Sequence, residues 1–219
     1  MFFAGFDKSN GVWMAQYTPC ECQADAKLAR LRRYAELPHG DNPRTFGSFD
    51  MERQPQAFED ACEFATGDTG NAVLTLSGPN GIGKSHLMEA IGWEMISQGY
   101  VVKWVDAADL MDRLRASNNP DNRESLERVV APYRDASVLL LDDLTGERVT
   151  PFAQEEMFRL LKYRYDYQHP TAITTNLDPD EMAATWGRRL ADRLFDENSG
   201  VTRVCHLRGP SYRTGRTWR

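Results

Sequence analysis

The sequence predicts an α/β fold: a mainly parallel sheet with helices on both faces. Three observations carry this. Short apolar runs alternate with longer segments of helical pattern, as parallel strands joined by crossover helices require. A glycine-rich stretch ending in Lys84-Ser85 lies between one apolar run and one helical segment. A second apolar run, "SVLLLDDL", ends in two adjacent acids. Parallel sheets bind ligands at the carboxyl ends of their strands, and both polar stretches fall at such ends.

Taken in order, residues 1–45 read as an extension with its own helix, closed by the Pro- and Gly-containing loop "LPHGDNP". Residues 46–219 read as the core. Gln54–Thr66 has a helical pattern, and Ala72–Ser77 is a short apolar run flanked by glycine, hence a buried strand. Lys84–Gln98 is helical and closed by Gly99, and Val101–Val105 is a strand. Ala107–Ala116 and Asn122–Arg134 are helical, split by "SNNPD". Ser137–Leu141 is a strand. Pro151–Tyr167 is a helix with proline in its first turn, where the missing N–H costs nothing. Thr171–Thr175 is a strand, Pro179–Trp186 and Arg188–Phe195 are short helices, and Val201–Leu207 is the last strand.

Composition narrows the function classes. The 219 residues are 41% hydrophobic and 26% charged, ordinary for a globular chain with a sizeable core. No apolar run approaches the roughly 20 residues that span a bilayer, and "MFFAGF" lacks a basic flank, so a cytoplasmic protein without membrane contact is expected. Four scattered cysteines do not make a disulfide framework. The net charge of −6 excludes a globally basic nucleic-acid binder, so any DNA contact must be local. From Arg188 onward eight arginines face only three acids, which is either such a patch or a solvated surface.

"GPNGIGKS", Gly78 to Ser85, fits G-x-x-x-x-G-K-S. The glycines permit a tight wrap whose N–H groups point at phosphate oxygens, and the helix that follows adds its positive dipole end. Lys84 is expected to reach the β- and γ-phosphates and Ser85 to ligate Mg²⁺. The cofactor-binding set is therefore Gly78, Pro79, Asn80, Gly81, Ile82, Gly83, Lys84, Ser85 and the next helical residue, His86. Asp142 and Asp143 would be costly at a strand's end without a cation. Beside a phosphate loop that cation is Mg²⁺, held by Asp142, and Asp143 faces the attacking water. Asn176 ends the strand "AITTN", where it either orients that water or caps the helix beginning at Pro179.

Together with "GRRLADRLFDE" and "GPSYR", these motifs resemble the DnaC/IstB-like branch of the AAA+ ATPases over roughly residues 45–213. The resemblance implies a five-stranded sheet with the phosphate-loop strand near its middle and a minimal or absent helical lid. It implies that Asp142 and Asp143 form the second nucleotide motif, that Asn176 is the first sensor, and that Arg213 is the second sensor. Arg193 resembles the arginine finger that enters a neighbouring subunit's site, with Arg189 one turn earlier as the other candidate. ATP and Mg²⁺ are the implied cofactors and ATP hydrolysis the implied activity. The implied partners are further copies of the chain, single-stranded DNA, and a replicative helicase or a transposase. Elements after the second core strand line a DNA channel in such proteins, which here points to Arg113 and Arg115, with Arg123 and Arg128 in the same region. Two readings of other kinds stay open: an ATP-gated adaptor with little hydrolysis, since Asp143 is a methylene shorter than Glu, and a small-molecule kinase.

Cys20 and Cys22 precede a basic run, Lys27 to Arg33. In some DnaC-like proteins a zinc ribbon stands here. The other cysteine pair would fall near Ala4 and Asp7, which offer no thiolate, and His39 is the one nearby histidine. Structural zinc takes four ligands, so zinc is not expected. The stretch resembles the remnant of a ribbon, or the trace of a start codon placed too late.

Overall fold

The computed structural model describes residues 2–9, 12–18, 21–67, 70–118, 125–146 and 149–214, with side chains from Asp25 onward. Cys20, the side chain of Cys22, Arg123, and Arg216 and Arg219 of the C-terminal arginine series lie outside the described residues. The chain begins with an antiparallel hairpin, β1 (Phe2–Ser9) and β2 (Val12–Thr18), where the sequence reading expects no strands. Asn10-Gly11, a strong short-range hairpin signal, marks the place in the sequence. The expected helix follows as α1 (Glu21–Ala35).

The core then runs α2 (Pro55–Thr66), β3 (Val73–Ser77), α3 (Lys84–Ser97), β4 (Val102–Asp106), α4 (Ala107–Ser117), α5 (Leu126–Asp135), β5 (Val138–Asp142), α6 (Pro151–Asp166), β6 (Thr171–Thr175), α7 (Pro179–Trp186), α8 (Arg188–Phe195) and β7 (Thr202–His206). The five core strands lie in the order β4-β5-β6-β3-β7, and each neighbouring pair is parallel. The phosphate-loop strand β3 is thus fourth of five, and β6 holds the centre.

Alternation along the strands builds two cores. Leu74, Leu76, Leu140 and Ala172 face α1, α2 and α3. Val73, Leu139, Leu141 and Ile173 face the layer of α4 to α8. This is the period-two split of a sheet buried on both sides. Among the described residues no helix is long and apolar enough to cross a membrane.

Two buried cations fasten the layers. Lys103 on edge strand β4 is 5% exposed and sits under the end of α1, where Nζ pairs with Glu36 (2.9 Å) and donates to the Tyr34 carbonyl (3.1 Å). Arg164 on α6 is fully buried. Its guanidinium donates to the carbonyls of Tyr133, Arg134, Ala136 and Pro170 and to Thr171 Oγ1, at 2.7–3.0 Å. It therefore satisfies the last carbonyls of α5 and the approach to β6, groups that helix ends otherwise leave unpaired. Burial lowers its pKa to about 10.

Candidate functional site

The phosphate loop leaves β3 at Gly78 and enters α3 at Lys84. Gly81 lies at φ +78°, in the left-handed region, and a Cβ there would run into Ser211 Oγ. Ile82 is fully buried and anchors the loop's crown in the core, so it serves the loop through its backbone. Lys84 is 6% exposed, and its ammonium donates to the carbonyls of Gly78 (2.6 Å) and Pro79 (2.8 Å). Burial lowers its pKa, opposed by Asp143 and Asp142, while Arg213 adds to the lowering. His86 lines the cleft beside the loop, and its ring is held by the preceding turn: Nε2 donates to the Thr45 carbonyl (3.1 Å), and the ring meets Phe49 edge-on. It ties the Thr45–Phe49 turn to α3.

The acids stand on the next strands. The ladder pairs Asp106 with Asp142, at the carboxyl ends of β4 and β5. Asp142 Oδ1 accepts from Ser85 Oγ (2.9 Å) and from Thr174 Oγ1 (2.6 Å). Burial pushes its pKa up, the two hydroxyl bonds oppose that, and Asp143 and Asp106 push it further up. No ion-pair partner of Asp142 is found among the described residues. A desolvated carboxylate beside a serine hydroxyl is a hard-oxygen donor set of the kind that suits Mg²⁺, so Ser85 and Asp142 fit the expected metal. Asp143 follows at φ +55°, uncommon for a residue with a side chain. Its N–H donates to Thr174 Oγ1 (2.8 Å).

Asn176 is exposed just past β6 and lines a recess with Asn80, Asp143, Thr145 and Trp186. It is not the cap of α7. Asp178 is, accepting from the Glu181 N–H (2.8 Å) in a capping box. This removes the capping alternative. Arg213 lies in the main cleft with Lys84, Asp142 and Asp143. The segment carrying it is laid against the phosphate loop, with Tyr212 N–H donating to the Gly81 carbonyl (2.7 Å).

The cleft is about 770 Å³, in the size range of ligand pockets. Its far wall was not singled out from the sequence. It comprises Arg44, Phe49, Asp50, Arg53 and Tyr212. The Arg53 guanidinium lies 4.6 Å from the Tyr212 ring centre, and Phe49 stacks on Phe58. The signal lay in "TFGSFD" and "GPSYR", which are distant in sequence and meet only through the fold. Behind the wall, fully buried Glu89 on α3 accepts from His39 Nδ1 (2.8 Å), Trp93 Nε1 (3.2 Å) and Arg44 N–H (3.3 Å).

The remaining arginines stand apart. Arg193 lines none of these cavities and rests over Phe158 and Tyr165, each 5.5 Å from its guanidinium carbon. Arg189 covers the same Phe158 ring at 5.0 Å. Arg193 donates to the Arg189 carbonyl (2.7 Å), and its buried Nε has no hydrogen-bond partner among the described residues. It pairs with neither Asp192 nor Asp196; Asp192 pairs with Arg188. Arg113 donates to Tyr133 Oη (2.9 Å), and Arg115 pairs with Asp112, so both expected DNA-contacting arginines have partners within the fold.

The chain is similar to known proteins over most of its length. It is 29% identical over 191 residues, 85% of this chain and 73% of the relative, to a protein of Geobacillus stearothermophilus described as an ATP-binding protein of insertion sequence IS5376. It is 28% identical over 128 residues to the replicative helicase loader DnaC of Buchnera aphidicola, a match covering 58% of this chain and about half (52%) of that loader. In fold it resembles the crystal structure of a DnaC helicase loader, with a TM-score of 0.63 at 21% identity, over 80% of this chain and 99% of that one. The family described as IstB-like ATP binding protein matches residues 20–218. That span takes in both halves of the cleft, and the chain belongs to this family.

Proposed function

We propose that the chain is a Mg²⁺-dependent ATPase that assembles with copies of itself and acts as a replicative helicase loader. The carrying observation is the convergence of Lys84, the Ser85–Asp142 pair, Asp143 and Arg213 on one cleft at the carboxyl end of the sheet. The N–H groups of the phosphate loop and Lys84 hold the phosphates. Ser85 and Asp142 hold the metal, which when bound neutralises charge on the phosphate oxygens. Asp143 accepts a proton from the attacking water, Asn176 orients that water, and Arg213 contacts the γ-phosphate. Phe49, Arg53 and Tyr212 flank the base. Arg193, remote from its own cleft, serves a neighbour's, and single-stranded DNA is the assembly's substrate.

Lys84→Ala should abolish ATP turnover, read as phosphate release; wild-type turnover in that variant defeats the site. The relative from an insertion sequence favours a second reading, a helper of transposition. Affinity capture of the tagged chain with candidate partners separates the two. Retention of a replicative helicase supports loading, and retention of a transposase alone transfers the proposal to transposition.

A further inference from the structure

We propose that Thr174 is a positioning residue that aims both acids of the site, through one hydroxyl that bridges them. This rests on the reading of Asp142 as metal ligand and Asp143 as the acid that faces the water.

The backbone explains why a side chain is needed there. The ladder between β5 and β6 runs through Leu139–Thr171, Leu140–Ala172 and Leu141–Ile173, then stops. Beyond it the β5 chain turns at Asp143, with φ +55°, and Leu144 N–H returns to the Thr174 carbonyl (2.8 Å). The N–H of Asp143 donates to the Thr174 hydroxyl at 2.8 Å. An N–H can only donate, so Thr174 Oγ1 is the acceptor in that bond and its own proton is free. That proton goes to Asp142 Oδ1 at 2.6 Å. Ser85 Oγ donates to the same oxygen, so both hydroxyls are spent on Oδ1 and leave Oδ2 unoccupied by them.

One buried side chain, 1% exposed, therefore sets the rotation of the Asp142 carboxylate and helps hold Asp143 in a left-handed conformation that its Cβ disfavours. The next residue extends the coupling. Thr175 Oγ1 donates to the Leu144 carbonyl (2.7 Å) and accepts from the Leu177 N–H (3.0 Å), which ties the acid turn to the turn that carries Asn176.

The test uses Thr174→Val, which keeps the shape and removes the hydroxyl, and Thr174→Ser, which keeps the hydroxyl. Outer partners of metal ligands are worth about 10- to 100-fold in metal affinity or activity. In Thr174→Val the Mg²⁺ concentration that half-saturates nucleotide-dependent thermal stabilisation should rise roughly 10-fold or more, and kcat should fall by a similar factor. Binding of a fluorescent ATP analogue without Mg²⁺ should change less than about 3-fold, and Thr174→Ser should restore both quantities. Wild-type Mg²⁺ dependence in Thr174→Val overturns the proposal, and so does Thr174→Ser failing as badly as Val, which assigns the effect to packing. If Thr174→Val does not fold, Thr174→Ala is read in its place. The Mg²⁺ titration decides the matter even if the wild-type chain turns over no ATP, so failure of the ATPase reading is seen separately.

Discussion

In the proposed site, Asp142 trades stability for metal binding. Its pKa is raised above the ordinary 3.8, chiefly by burial. A raised carboxyl pKa favours the folded state at low pH, and that advantage is lost as pH climbs through the folded value. The ionised carboxylate is thus a burden on the metal-free protein at neutral pH. Asp142→Asn should melt a few degrees higher than the wild type at pH 7, with the gap closing toward pH 4, while losing Mg²⁺-dependent stabilisation by nucleotide. Melting curves across that range, with and without Mg²⁺-nucleotide, check both parts; equal melting at pH 7 would contradict the burden. Arg164 is likewise desolvated, but it is a buried cation with every arm of its fork engaged. Arg164→Met removes the donor from four carbonyls and should cost on the order of 3–5 kcal/mol in denaturant unfolding.

At the scale of elements, much of the core was legible in the sequence. Thr171–Thr175, Pro179–Trp186 and Arg188–Phe195 fall where their patterns place them, because proline, glycine and the caps Asp178 and Gly187 punctuate both ends. The glycine-rich loop and the acid pair were legible because each is a contiguous stretch, and the fold brings both to one cleft. The aromatic and arginine wall of the cleft was not legible, since Phe49, Arg53 and Tyr212 come from segments more than 150 residues apart and no local pattern joins them. Nor could sequence show that Arg113 and Arg115 have partners inside the fold. The N-terminal helix is a further element the sequence left loose and the structure fastens. Lys103 holds its end, and His39 and Arg44 reach Glu89 one turn along α3 from Ser85. Lys103→Met should release α1, read as faster proteolysis between residues 27 and 44 with the core intact. Unchanged cleavage would mean that apolar packing alone docks the helix.

For the whole molecule, the proposed assembly makes the sharpest demand. Arg193→Ala and Asp143→Ala proteins should each be inactive, and mixing them should restore part of the turnover, because unlike neighbours rebuild some intact sites. Recovery at no mixing ratio argues that Arg193 acts within its own subunit or not at all. Its present seat is compatible with movement: the guanidinium lies on Phe158 and Tyr165 with one buried N–H unsatisfied, so leaving that seat forfeits stacking but relieves an unpaired donor.

The contact between Gly81 and Ser211 constrains how this sequence can be altered. No Cβ fits at Gly81 while Ser211 stands against it, and the Tyr212 N–H is bonded to the Gly81 carbonyl. Two stretches 130 residues apart in sequence must therefore be inherited together. A chimaera that imports a relative's phosphate loop without its matching segment around Ser211 to Arg213 will combine two sound parts into a defective cleft, whereas exchanging both as a pair preserves it.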